Sequence, residues 1–247
     1  EYVFYPSVGL SVVLSEIIPL PKKVFSFWKI RGSYAQVGNP PSAYLPYATV
    51  VLENGNATSA NFSPANHLKA EMTKAFEFGM DLRLFDNKLN LAATYYNSNT
   101  YNQLFKYELP PSTGYAFAYE NAGKVNNWGI ELSVNWRKEF TKDLYVDFRG
   151  NFTYTENKYV NLDEPVYPYV WKTSTGKPLS RTTGYIAQGL FSSQEEIDNS
   201  PTQNLGSTVK PGDIKYRDVN GDGKIDGSDQ VMISPYGTTP RIQYGLG

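Results

Sequence analysis

The sequence predicts an all-β protein: an antiparallel segment of a transmembrane β-barrel, about seven strands of a larger barrel, with long loops on one side. Three observations carry this expectation. Apolar and polar residues alternate in runs of roughly 10 to 14, long for a globular strand but suited to a tilted membrane strand. Short turns and long loops alternate strictly along the chain, as the two ends of a membrane barrel do. Aromatic residues make up 15%, with 20 Tyr, 13 Phe and 4 Trp, and they gather at the ends of the runs, where interfacial girdles form.

Residues 2–14 read as a first strand, stopped by Pro19 and Pro21, which have no amide hydrogen for a ladder. In 24–37, Trp28, Ile30, Gly32 and Tyr34 share one face, and Lys29, Arg31, Ser33 and Ala35 the other. A Gly-, Pro-, Asn- and Tyr-rich stretch over 38–70 reads as a long loop. Its N-x-S/T triplets at Asn56 and Asn61 reflect Asn-rich composition rather than glycosylation, since a third, at Asn151, falls inside a strand pattern.

Residues 72–85 and 88–101 form the clearest hairpin. Phe76, Phe78, Met80, Leu82 and Leu84 oppose Glu77, Asp81 and Arg83, and Asp86-Asn87 makes the turn. A loop is expected over 102–126. A second hairpin pairs 127–138 with 143–156: Ile130, Leu132, Val134 and Trp136 alternate with Glu131, Ser133, Asn135 and Arg137. The longest loop, 157–239, contains a capping-box signature from Ser193 to Glu196, and a last strand begins near 240. The charged faces are expected toward a polar lumen and the apolar faces toward lipid.

Composition narrows the function classes. The net charge of −1 argues against a general nucleic-acid-binding role. The absence of Cys removes disulfides, thiol catalysis and Cys-based zinc sites. His67 is the only histidine, and nothing around it suggests a nucleophile elbow or triad. No phosphate-binding glycine motif occurs, so the chain is not expected to be an enzyme. No signal peptide or run of 18 apolar residues is present, and both ends read as strand interior. The chain is therefore expected to be part of something larger, because seven strands do not close a solute-passing barrel.

The most distinctive stretch is D-V-N-G-D-G-K-I-D-G-S-D, from Asp218 to Asp229. Asp218, Asn220 and Asp222 place oxygen side chains at positions 1, 3 and 5 of a twelve-residue calcium-type loop. Gly223 supplies the sharp turn, Lys224 a carbonyl at position 7, and Asp229 closes position 12. Hard oxygen donors favour Ca2+, with Mg2+ second. Asp at position 12 reaches less far than the usual Glu, so the expected site is weak and structural. The alternative is a metal-free turn held by Asx hydrogen bonds. Among the loop aromatics, Tyr44, Tyr47, Tyr167, Tyr169 and Trp171 are candidates for stacking on sugars or on a lid, against self-packing or an interfacial girdle.

Several segments together resemble one family. They are Y-P-S-V-G-L-S at 5–11, K-I-R-G-S-Y-A-Q-V-G-N at 29–39 and L-K-A-E-M-T-K-A-F-E-F-G-M-D at 68–81. Further on come N-A-G-K-V-N-N-W-G-I-E-L-S at 121–133, T-G-Y-I-A-Q-G-L-F at 183–191 and P-G-D-I-K-Y-R-D-V-N-G-D-G-K-I-D at 211–226. In this order they are similar to the C-terminal barrel region of SusC/RagA-like TonB-dependent outer-membrane transporters of Bacteroidetes. K-A-E-M at 69–72 and Trp128 depart from the commoner family residues. The resemblance implies a 22-stranded barrel closed by an N-terminal plug, a SusD-like surface lipoprotein as lid, and TonB-driven uptake of oligosaccharides or peptides across the outer membrane of a Gram-negative bacterium. Plug, TonB box and last strands are not in this sequence. The rival expectation is a soluble, calcium-stabilised cell-surface module that binds glycans.

Overall fold

The structure is a computed structural model and describes residues 4–41, 50–53, 56–60, 63–65, 67–164 and 166–247. The chain divides into two compact units, Glu1–Asp163 with Arg241–Gly247, and Glu164–Pro240. The first is an antiparallel meander of seven strands. We label them β1 (Ser7–Val13), β2 (Phe25–Asn39), β3 (Glu71–Leu84), β4 (Leu89–Glu108), β5 (Phe117–Glu139), β6 (Tyr145–Leu162) and β7 (Ile242–Leu246). Each pairs with its neighbour in this list, β1 with β2 through to β6 with β7.

Register decides what each face carries. Because directly opposed residues share a face, the row Gly32–Phe78–Tyr95–Ile130–Tyr154–Ile242 runs across six strands. The next row is Ile30–Met80–Ala93–Leu132–Phe152–Tyr244. The opposite face holds Arg31, Glu77, Asp81, Thr94, Glu131, Thr153 and Gln243. The two-residue period of the sequence thus becomes one apolar and one polar surface.

The apolar surface is uncovered. Leu10 is 73% exposed, Phe78 48%, Leu132 44% and Tyr244 75%. Summed over the face, this amounts to on the order of 1,000 Å² of apolar side chain, beyond the few hundred usual on a soluble monomer. Among the described residues, the buried apolar side chains are Ala65, Met72, Val125, Phe191 and Ile225, too few to be the core of a two-layer domain. Hydrocarbon is the solvent this face suits.

Aromatics mark the edges of the apolar band. At one edge the Trp128 ring lies 5.5 Å from Tyr154 and 6.5 Å from Tyr95. At the other, Trp136 stands opposite Phe148. From Trp128 to Trp136 along β5 is about 27 Å at ~3.4 Å per residue. A tilt of ~40° reduces that to about 21 Å, near the height of a membrane-barrel band.

The boundaries differ from the sequence expectation in informative ways. The loop expected over 102–126 shrinks to 109–116, because β4 and β5 continue to Glu108 and from Phe117. Asn102 has φ +57°, and the register shifts between Thr100 and Leu104. A bulge there carries the ladder onward while exchanging the faces of later residues, which breaks the alternation. Glu71 secures it by accepting Leu104 N at 2.8 Å. Asn121 Nδ2 also donates to Asn102 O at 2.7 Å.

β6 likewise runs to Leu162, so the last long connection begins at 163 rather than 157. The stretch expected as loop over 38–70 contains a paired hairpin, Val50–Glu53 with Asn56–Ala60. Of the first strand expected over 2–14, Ser7–Val13 is strand and 4–6 are not, while residues 2 and 3 lie outside the described residues; the last strand starts at Ile242. Pro6 accepts from Gln36 N but has no amide to return. The turn expected at Asp86-Asn87 also takes in Phe85, and all three have positive φ.

Candidate functional site

The second unit, Glu164–Pro240, holds the Asp-rich loop. Gly221 and Gly223 have φ of +76° and +81°, left-handed conformations that fold Asp218–Lys224 back on itself. Asp218 accepts Gly221 N at 2.6 Å and Gly223 N at 2.8 Å. Asn220 Oδ1 accepts Asp222 N at 3.0 Å, and Asp222 Oδ1 accepts Lys224 N at 2.9 Å. Ile225, at the apolar position of the loop, is fully buried. Its strand Lys224–Ile225 pairs in parallel with Thr202–Gln203.

Asp229 is the one buried charged residue described. Its Oδ1 accepts Val219 N at 2.9 Å and Asn220 N at 3.4 Å, and its Oδ2 accepts Asp226 N at 2.9 Å. One carboxylate therefore staples both ends of the loop. Burial pushes its pKa up, but the amides of Asp226, Val219 and Asn220, with help from Lys172, outweigh that and hold it below the usual value. Asp226 caps the turn Gly227–Asp229 in a reciprocal box with Asp229. Sequence reasoning passed over Asp226, although the D-x-x-D spacing is a capping signal.

Tyr169 and Trp171 stack at 4.7 Å with 9° between their planes, and both are bonded to the loop. Tyr169 Oη accepts from Asn220 Nδ2 at 3.1 Å, and Trp171 Nε1 donates to Ser228 O at 3.1 Å. Lys172 Nζ donates to Gly227 O. Arg181 fixes the same segment through Lys172 O at 3.2 Å and Ser174 Oγ at 2.7 Å. Nothing in the sequence marks these pairings, whose partners lie up to 57 positions apart.

The candidate aromatics therefore divide. Tyr169 and Trp171 are half-buried parts of the loop's support, whereas Tyr167 stands 38% exposed. Tyr44 and Tyr47 lie outside the described residues. Among the described residues, no group of three or more His, Asp or Glu side chains converges as metal ligands would. The side-chain oxygens of Asp218, Asn220 and Asp222 lie along one turn and, like those of Asp229, accept backbone amides, the Asx-bonded arrangement.

The Ser193 signature caps a helix at Gln194–Asp198: Ser193 Oγ accepts Glu196 N at 3.2 Å. Glu196 reaches one residue further back than a standard capping box, to Ser192 N at 2.9 Å and Ser192 Oγ at 2.8 Å. The Ser192 bonds and Lys215 lower its pKa to about 2. A carboxylate with a depressed folded pKa stabilises above its unfolded value, 4.5, and loses that contribution as pH falls through about 2. On acidification, the cap amides near Ser192 should keep their hydrogen-exchange protection at pH 4 and lose it only toward pH 2. Loss of protection already at pH 4.5 would contradict this.

In the first unit, the polar face has its own centre. Arg31 lies 3.5 Å from both Glu77 and Asp81 and donates to Thr94 Oγ1 at 2.8 Å. Gly79, directly opposite Arg31, leaves it room: a Cβ there would come 2.6 Å from the guanidinium carbon. Nearby, a cavity of ≈ 690 Å³ includes Lys29, Arg83, Arg149 and Asp81 in its lining. This face is built for water and polar solutes.

A seven-stranded wall with one lipid-suited and one polar face defines the class: a segment of a membrane β-barrel. Comparison with known proteins gives the family. The family described as "TonB dependent receptor-like, beta-barrel" matches residues 1–239, and the chain belongs to it. TonB-dependent receptor P3 of Formosa agariphila is 28% identical over 268 residues, covering 100% of this chain and 26% of that protein. TonB-dependent receptor SusC of Bacteroides thetaiotaomicron is 27% identical over 241 residues, covering 88% of this chain and 23% of that protein. The RagAB peptide transporter structure shares the fold, with a TM-score of 0.73 at 19% identity over 98% of this chain and 26% of that one. The chain thus spans about a quarter of the length of these relatives. Their family is one of outer-membrane barrels.

Proposed function

We propose that this chain is wall and outside loops of an active outer-membrane nutrient importer of the SusC kind. The importer takes up oligosaccharides or peptides, works with a SusD-like surface lipoprotein, and draws energy through TonB. The observation that carries the reading is the sheet itself, with an uncovered apolar surface outside and the Arg31–Glu77–Asp81 surface inside. On this reading Glu164–Pro240 and the 109–116 connection are extracellular, and the segment supplies structure and ligand contact, not catalysis. Tyr44, Tyr47 and Tyr167 are the aromatics we assign to ligand or lid, with Tyr169 and Trp171 as their support.

Replacing residues 164–240 by a short turn in the whole transporter tests this. The barrel should still assemble, while uptake of its nutrient falls at least about tenfold and the lipoprotein no longer co-purifies, since the ligand-capturing contacts are lost. Unchanged uptake would overturn the assignment.

The same reading gives the Asp-rich loop a weak structural Ca2+. Asp218, Asn220, Asp222 and Asp229 would hold it with the Lys224 carbonyl, each sharing or exchanging an oxygen that now accepts a backbone amide. What supports this is the set of hard oxygens on one glycine-turned loop. Chelation should raise protease cleavage within 218–229, and Asp218→Ala with Asp222→Ala should abolish that calcium response without unfolding the barrel. A loop equally resistant with and without chelator would count against the cation.

A further inference from the structure

The apolar band ends abruptly beyond Trp128, and what replaces it is ordered. Register places Gln36, Lys74, Asn99, Asn126 and Lys158 side by side on β2 to β6. This row lies on the same face as Phe76, Trp128 and Tyr154, because each of its members is an even number of residues from an apolar one on its own strand.

A lipid-side row one step past an aromatic girdle lies at headgroup depth. Its amides are tied into a network. Asn126 Nδ2 donates to Asn97 Oδ1 at 3.0 Å and Asn99 Oδ1 at 3.1 Å, and Asn99 Nδ2 to Asn97 Oδ1 at 3.0 Å. At its two flanks stand exposed lysines, three strand spacings or about 14 Å apart. Lys74 Nζ rests 5.3 Å over the Tyr101 ring. Among the described residues, neither lysine is within ion-pair distance of a carboxylate. The acid nearest along β6, Glu156, is engaged by Arg241 at 3.6 Å and Tyr154 Oη at 3.4 Å.

On the proposed reading that the 109–116 end of these strands is extracellular, we propose that this row is a binding site for the phosphorylated sugar headgroup of an outer-leaflet glycolipid. The two ammonium groups match phosphate charge. The amides between them, fixed by their mutual hydrogen bonds, keep further donor and acceptor capacity that suits sugar hydroxyls. A phospholipid headgroup would use the lysines and leave the amide row unmatched. The acyl chains would lie along the Phe76–Phe78 and Trp128–Ile130 columns below.

The test uses the whole transporter in mild detergent, with native mass spectrometry to count retained lipid. The probes are a purified phosphorylated disaccharide glycolipid and its dephosphorylated form. Lys74→Gln with Lys158→Gln should weaken retention of the phosphorylated lipid by roughly ten- to thirtyfold, two lysines' worth of headgroup attraction. The unmodified protein should show a similar loss toward the dephosphorylated lipid, which needs no variant to fold. A matched phospholipid should be retained as poorly. Equal retention by both proteins and for both glycolipids would overturn the site, as would displacement of the lipid by equimolar inorganic phosphate.

Discussion

Leu132→Arg should destabilise the assembled barrel by about 2–4 kcal/mol, the cost of a cation near the bilayer midplane. Leu132 sits midway between Trp128 and Trp136 on β5 and is 44% exposed. On a soluble protein so exposed a position would accept arginine at little cost. Ser133→Arg, one residue along and on the polar face opposite Asn151, should leave assembly nearly unchanged. Urea-dependent loss of the heat-modifiable folded band would measure both. A large penalty at Ser133 and none at Leu132 would exchange the two faces and with them the membrane reading.

Asp229→Ala should open the Asp-rich loop. The carboxylate is buried and takes three amides, from Val219, Asn220 and Asp226. Unsatisfied buried donors cost about 1–3 kcal/mol each. Relaxation toward water will recover part of this, so a local loss of roughly 3–5 kcal/mol is expected. Asp229→Asn should lose less, since it keeps an acceptor for some of these amides. Hydrogen exchange of 218–229 reads the effect directly, while the wall strands should keep their protection. If Asp229→Ala opens the loop no more than Asp218→Ala does, the staple assigned to Asp229 is wrong.

The two halves of the chain were unequally legible. Faces followed from the alternation at Phe76–Leu84 and Ile130–Trp136, because a pleated strand converts parity directly into side. Strand ends did not follow, since the bulge at Asn102 preserves the ladder while destroying the parity that reveals it. The oxygen positions of Asp218, Asn220 and Asp222 were visible as spacing. The amide bonds of Asp229 were not: a closing carboxylate looks the same in sequence whether it takes backbone amides, a cation or both. The clamp of Tyr169, Trp171 and Lys172 on that loop is a tertiary contact, and no local pattern announces it. Membership of the TonB-dependent receptor-like barrel family came from order and identity of whole segments, which periodicity alone does not supply.

The insertion between β6 and β7 should make the β6–β7 pairing the last to form in this wall. Five of the six strand pairings, β1–β2 through β5–β6, join consecutive strands, four of them across short connections and β2–β3 across the longer stretch 40–70. They have the low contact order that favours fast zippering. The sixth must wait for the ends of residues 164–240 to meet. Closing a flexible loop of that length costs only ~1 kcal/mol more than closing one a quarter as long, and prior folding of the insert as a compact unit would lower that cost further. Substitutions that slow the insert's own folding should therefore delay the last pairing, leaving β6 as an exposed edge during biogenesis.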